Sequence, residues 1–183
     1  AVRSLLMRCT YCSRRSSSIL SVPLMPLRIA VPVESSFDTI GRDCLEAAAE
    51  AGAEIVGVVT LPGPSDPDRS GQCAFDDVAA RFDAALVETR DINALETLNA
   101  LRKLEPELIF VVGWSQLVHD PFVALASEGV FGMHPTLLPR HRGRAPIPWA
   151  ILTGLARTGV TLFEIVDSTA DSGDMRTTAR ARA

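Results

Sequence analysis

His134 closes the apolar run VFGMH and opens HPTLLPRHRGRAP, a stretch with two of the chain's three histidines and with Arg140, Arg142 and Arg144. An imidazole titrates at roughly 6.5, so it can take or give a proton near neutrality. A general base also needs a neighbour that fixes its tautomer. Three acids of DSTADSGD (Asp167, Asp171 and Asp174) could supply that neighbour if the strand before them runs beside VFGM. The arginines carry forked donors suited to a carboxylate or phosphate. Pro135, Pro139 and Pro146 fix φ, which favours a preformed cleft wall. His119, His134 and His141 lack the i, i+4 pair or CxxC partners of a zinc site, so no metal is expected.

These residues need elements to place them. LRIAVPV (27–33) reads as a buried strand, and a helix over 39–51 puts Ile40, Cys44 and Ala48 on one face. AEIVGVVTL (53–61) is the next strand, and LPGPSDPDRSG is a loop. ALVETR is a third strand, and Asp91 is placed to cap a helix with Ile92, Leu95, Leu98 and Leu101 on one face. ELIFVVGW (107–114) has the unbroken apolar character of a central parallel strand. HDPFVALASEG reads as a helix capped by Asp120, with Pro121 first and Gly129 as its stop. VFGMH, a helix over 147–153 and GVTLFEIV (159–166) follow. The alternation predicts an α/β fold, a mostly parallel sheet with helices on both faces. In such sheets ligands bind beyond the carboxyl ends of the strands, where His134 falls. Neither GxGxxG nor GxxxxGK[ST] is present, which disfavours a dinucleotide or P-loop site.

Charge separates the ends from the body. Residues 1–26 hold Arg3, Arg8, Arg14 and Arg15 with no acid, and 176–183 hold Arg176, Arg180 and Arg182 with no acid. Residues 27–175 carry all 22 acids, which disfavours general polyanion binding. Residues 1–26 read as a basic non-globular tail or targeting segment, with Met25 as a natural domain start. Residues 176–183 read as an irregular, truncated end. Cys9 and Cys12 form a lone CxxC in the tail, and the four cysteines show no disulfide framework. A reducing, cytoplasmic setting is expected, or a mitochondrial one if residues 1–24 are a transit peptide. No apolar run reaches the roughly 18–20 residues of a membrane helix.

The ordered series GVFGMHPTLLPRHRGRAPIPWAILTG, TGVTLFEIV and DSTADSGD resembles the formyltransferases that use 10-formyltetrahydrofolate, over about 27–175. That resemblance implies the Rossmann-like catalytic domain of those enzymes. It also implies transfer of a formyl group from 10-formyltetrahydrofolate to an acceptor amine, on methionyl-tRNA or a nucleotide-linked amino sugar. His134 matches the family's catalytic histidine, and Asp171 its catalytic aspartate. Gly132 stands where the family has a catalytic asparagine, whose amide would meet the formyl oxygen as charge develops. The resemblance places folate against Trp114, Leu117, Pro135, Leu137, Leu138 and Asp171, and an anionic acceptor against Arg140, Arg142 and Arg144. It further implies that the domain's final strand and helix are missing after the Asp171 loop. Two other readings stay open: hydrolysis of formyltetrahydrofolate on the same residues, and an inactive or fragmentary folate-binding remnant.

Overall fold

The computed structural model describes residues 26–33, 38–63, 74–166 and 175–182. The basic tail with Cys9 and Cys12, and the acids Asp167, Asp171 and Asp174, lie outside them. Strands β1 (Arg28–Pro32), β2 (Glu54–Thr60), β3 (Ala85–Glu88), β4 (Leu108–Val112), β5 (Val130–His134), β6 (Arg157–Ile165) and β7 (Met175–Arg182) form one sheet. Its order is β3-β2-β1-β4-β5-β6-β7. The first five run parallel, and β6 and β7 are antiparallel to their neighbours. The mostly parallel α/β expectation holds.

Helices α1 (Asp38–Glu50), α2 (Asp76–Arg81), α3 (Leu95–Lys103), α4 (Asp120–Val123) and α5 (Pro146–Leu152) link the strands. Strand side chains alternate between faces, so the sheet feeds two cores. Ile29, Val31, Leu108 and Val112 pack with Cys44 and Leu45 of α1 and Val78 of α2. Ala30, Ile109 and Val111 pack with Leu98 and Leu101 of α3 and Phe122 of α4. Both faces are therefore covered, as expected.

Several local readings change. The last residues do not end irregularly: Met175–Arg182 is a strand, paired with β6 from Arg157↔Arg182 to Phe163↔Met175. Alanine and threonine make a weak apolar alternation, and pairing with β6 supplies what the pattern lacks. Helix α2 falls in a stretch with no expected element. It is short, and only Phe75, Val78 and Ala79 mark its buried side. Asp91 does not cap α3, whose N-cap is Ala94. Instead Asn93 N–H donates to Asp91 Oδ1 at 2.9 Å, an Asx turn, which is the competing use of an aspartate side chain. Ile92 is buried ahead of the helix, and Leu95 is exposed while Thr97 turns inward. Helix α4 stops after one turn with His119, not Asp120, at its N-cap, although Pro121 does sit in its first turn. Helix α5 buries only Ala150, leaving Trp149, Ile151 and Leu152 exposed. Among the described residues, no helix is long and apolar enough to cross a membrane.

Candidate functional site

The strand order turns back between β1 and β4, so the outward crevice lies beyond the carboxyl ends of β1, β4 and β5. His134 is the last residue of β5, directly opposite Thr161 of β6, and is only 6% exposed. Strand β6 does run beside VFGMH, but antiparallel to it, so its carboxyl end at Ile165 is opposite Val130 and not His134. Pro135 has no N–H to continue the ladder, and the chain turns at once, with Thr136 N–H donating to the His134 carbonyl at 2.8 Å.

The turn is fastened by threonine hydroxyls. Thr161 Oγ1 donates to the Thr136 carbonyl at 2.8 Å and accepts from Leu138 N–H at 3.2 Å. Thr158 Oγ1 donates to the Pro135 carbonyl at 3.4 Å, and Thr136 Oγ1 to the Arg140 carbonyl at 3.0 Å. Loop 135–140 is therefore bolted to β6. Beyond it, His141, Gly143 and Ala145 have φ of 56°, 101° and 52°. A left-handed backbone costs a non-glycine residue about 1–2 kcal/mol, so this corner is held under strain by its surroundings.

The strain has a local counterpart. His134 Nε2 lies 3.0 Å from the His141 carbonyl oxygen. A carbonyl can only accept, so Nε2 carries the hydrogen in this contact. Sequence reasoning assigned tautomer control to an acid; here a main-chain carbonyl contributes to it. A buried imidazole with a fixed tautomer can accept a proton or, once charged, stabilise a developing anion.

The structure gathers the other expected residues unevenly. Gly132 is buried mid-strand, opposite Phe163. Pro135 and Leu137 are half-buried, while Leu138 is buried and supports the loop. Half-buried Trp114 donates from Nε1 to Gln116 Oε1 at 3.2 Å, and Leu117 is 52% exposed. Arg140, Arg142 and Arg144 are exposed, and none forms an ion pair among the described residues. Asp171 lies outside the described residues. Sequence reasoning missed the roles of Thr158 and Thr161, although TGVT signalled them as polar residues inside a strand. It also missed Gln116 and Asn93. Gln116 accepts from Ile92 N–H at 3.0 Å and donates to the Arg90 carbonyl at 2.8 Å. Asn93 donates to the Leu117 carbonyl at 2.9 Å and accepts from His119 N–H at 2.8 Å. Together they clasp the exit loops of β3 and β4. No trio of His, Cys, Asp or Glu that could hold a metal occurs among the described residues.

Known proteins share this frame. Glycinamide ribonucleotide transformylase 1 from Geobacillus kaustophilus is 23% identical, with a TM-score of 0.66 over 87% of this chain and 84% of that one. Its counterpart from Symbiobacterium toebii is 18% identical, with a TM-score of 0.68 over 91% of this chain and 79% of that one. A formyltetrahydrofolate deformylase from Pseudomonas syringae pv. tomato is 12% identical, with a TM-score of 0.65 over 87% of this chain and 52% of that one. At these identities the likeness is one of fold. The family model described as formyl transferase matches residues 27–182, from the start of the sheet through β7. The chain belongs to the formyl transferase family.

Proposed function

We propose that this protein moves the formyl group of 10-formyltetrahydrofolate to the amine of an anionic acceptor, with His134 at the reacting centre. The observation that carries the reading is the buried His134 at the end of β5, its Nε2–H held by the His141 carbonyl, in a formyl transferase domain. In the proposed reaction a neutral amine attacks the formyl carbon, and the carbonyl oxygen becomes an oxyanion. The imidazole of His134 takes the proton that the amine loses. N10 of the folate then leaves, that proton returns to it, and the formyl group stays on the acceptor nitrogen. Asp171 is proposed to orient and charge-balance the imidazole, as the family motif implies.

Trp114, Pro135 and Leu137 are half-buried, which leaves surface for a planar pterin to cover. Leu138 is buried and suits a supporting role, and exposed Leu117 suits the outer rim. For the acceptor, the three exposed arginines favour a phosphorylated molecule. Methionyl-tRNA and nucleotide-linked amino sugars share that chemistry. So does the glycinamide ribonucleotide named for several proteins of like fold.

The test is a formylation assay on the purified chain with 10-formyltetrahydrofolate and these three acceptors. His134→Asn is expected to lower the rate about 10²–10⁴-fold. No His134-dependent product from any acceptor would sink the proposal. Water as the acceptor is the second reading, favoured by the fold shared with a deformylase. Formate release without an amine distinguishes it.

A further inference from the structure

Gly132 lies in the middle of β5, and its backbone does not demand glycine, since it is not among the residues with positive φ. Space demands it. A Cβ at 132 would stand 2.7 Å from Cζ and 3.0 Å from Cε1 of Phe163, and 3.3 Å from Cδ1 of Ile165. Gly132 pairs with Phe163, and His134 with Thr161, across the antiparallel β5–β6 ladder. Opposed residues share a face, as do residues two apart on one strand. Gly132, His134, Thr161 and Phe163 are therefore on one face, with the phenyl ring over bare backbone one step from His134. Phe163 is 7% exposed, so that ring is packed in place.

We propose that Phe163 is a positioning residue whose ring fills the space a side chain at 132 would need, so that position 132 presents only main chain on the face it shares with His134. The inference rests on the formyl-transfer reading. Under it, an oxyanion forming next to His134 meets an aromatic wall where a side-chain amide could stand. Position 163 decides what position 132 can hold. Asparagine alone at 132 does not fit; with alanine at 163, the vacated volume admits the amide.

Four proteins test this: wild type, Gly132→Asn, Phe163→Ala and the double variant, each read by thermal melting and by steady-state kinetics. Gly132→Asn is expected to lower Tm, and the double variant to melt well above the sum of the two single losses. Additive losses, or a Gly132→Asn protein as stable as wild type, overturn the proposal whatever the activity. Should Gly132→Asn fail to fold, Gly132→Ala carries only the Cβ that meets the ring, and Phe163→Ala is expected to erase its Tm loss. With 10-formyltetrahydrofolate and an acceptor amine, the double variant is expected to raise kcat about 10- to 100-fold over Phe163→Ala. The folate KM should stay within about twofold, because a donor to developing charge acts in the transition state. Gly132→Asn alone should bring no gain, and a gain from it alone overturns the proposal. If no protein turns over yet the melting losses are non-additive, the formyl-transfer reading fails and the steric pairing of 132 with 163 stands.

Discussion

Two histidines seven residues apart do different jobs. His134 uses its ring, while His141 offers its carbonyl from a left-handed backbone. Glycine takes that conformation without a steric penalty. His141→Gly should therefore keep the carbonyl in place and leave stability within about 1 kcal/mol of wild type, or slightly above it. Formyl transfer should persist in His141→Gly and fall about 10²–10⁴-fold in His134→Asn; equal loss in both would mean that the His141 ring takes part. A second residue-scale contrast lies away from the site. Arg42 binds both oxygens of Asp77 at 2.8 and 3.0 Å, and its guanidinium lies 5.5 Å from the centroid of the Phe75 ring. The hydrogen bond from Arg42 lowers the Asp77 pKa. A carboxylate held below its unfolded value stabilises the fold above that value, about 4, and the contribution fades as pH falls through the folded pKa. Asp77→Asn should be less stable than wild type at pH 7, by a margin that closes in acid. Chemical denaturation at pH 7 and pH 3 checks this, and a constant margin would count against it.

Strand β6 is the element on which the site depends, because it is a member of the sheet and also the anchor of the loop after His134. Thr161 is 0% exposed and serves the Leu138 N–H and the Thr136 carbonyl together. Thr161→Val removes the hydroxyl and leaves two main-chain groups unpaired, a cost of about 1–3 kcal/mol. The same change should reduce formyl transfer by freeing the loop; a stable, fully active variant would show that the threonine is dispensable. The sequence made the elements around this loop legible. VFGMH and GVTLFEIV are strong strands because valine, isoleucine and phenylalanine fill both of their faces. Elements whose formation depends on distant partners were not legible. Helix α2 is a single short run held by Phe75 and the Arg42 clamp. The start of α3 was misplaced for a local reason, since Asp91 folds back on Asn93. Within the site, residue types pointed to His134 and the arginines. The phenyl ring against Gly132 did not show, since cross-strand register is not written in local spacing.

For the whole molecule, β7 extends a sheet that would otherwise end at β6, the strand fastening the site. Deleting 175–182 would leave the outer edge of β6 without its partner, and an unpaired strand edge invites association between copies. The deletion is expected to lower Tm and to shift size-exclusion profiles toward larger species. A monodisperse deletion variant with unchanged Tm would refute this. Fold class was the most legible feature at this scale, because buried parallel strands read as continuous apolar runs. The strand Met175–Arg182 was not, because RTTARARA shows no clear strand period and takes its place only by pairing with β6.

The clasp between the β3 and β4 exits carries a historical consequence. Gln116 satisfies Ile92 N–H and the Arg90 carbonyl, and Asn93 satisfies His119 N–H and the Leu117 carbonyl. Each loop thus supplies the polar side chain that the other loop's backbone requires. In an alignment of this chain with its relatives, substitutions at 93 and 116 should be inherited together. A lineage that lost one amide would be under pressure to rebuild the opposite loop.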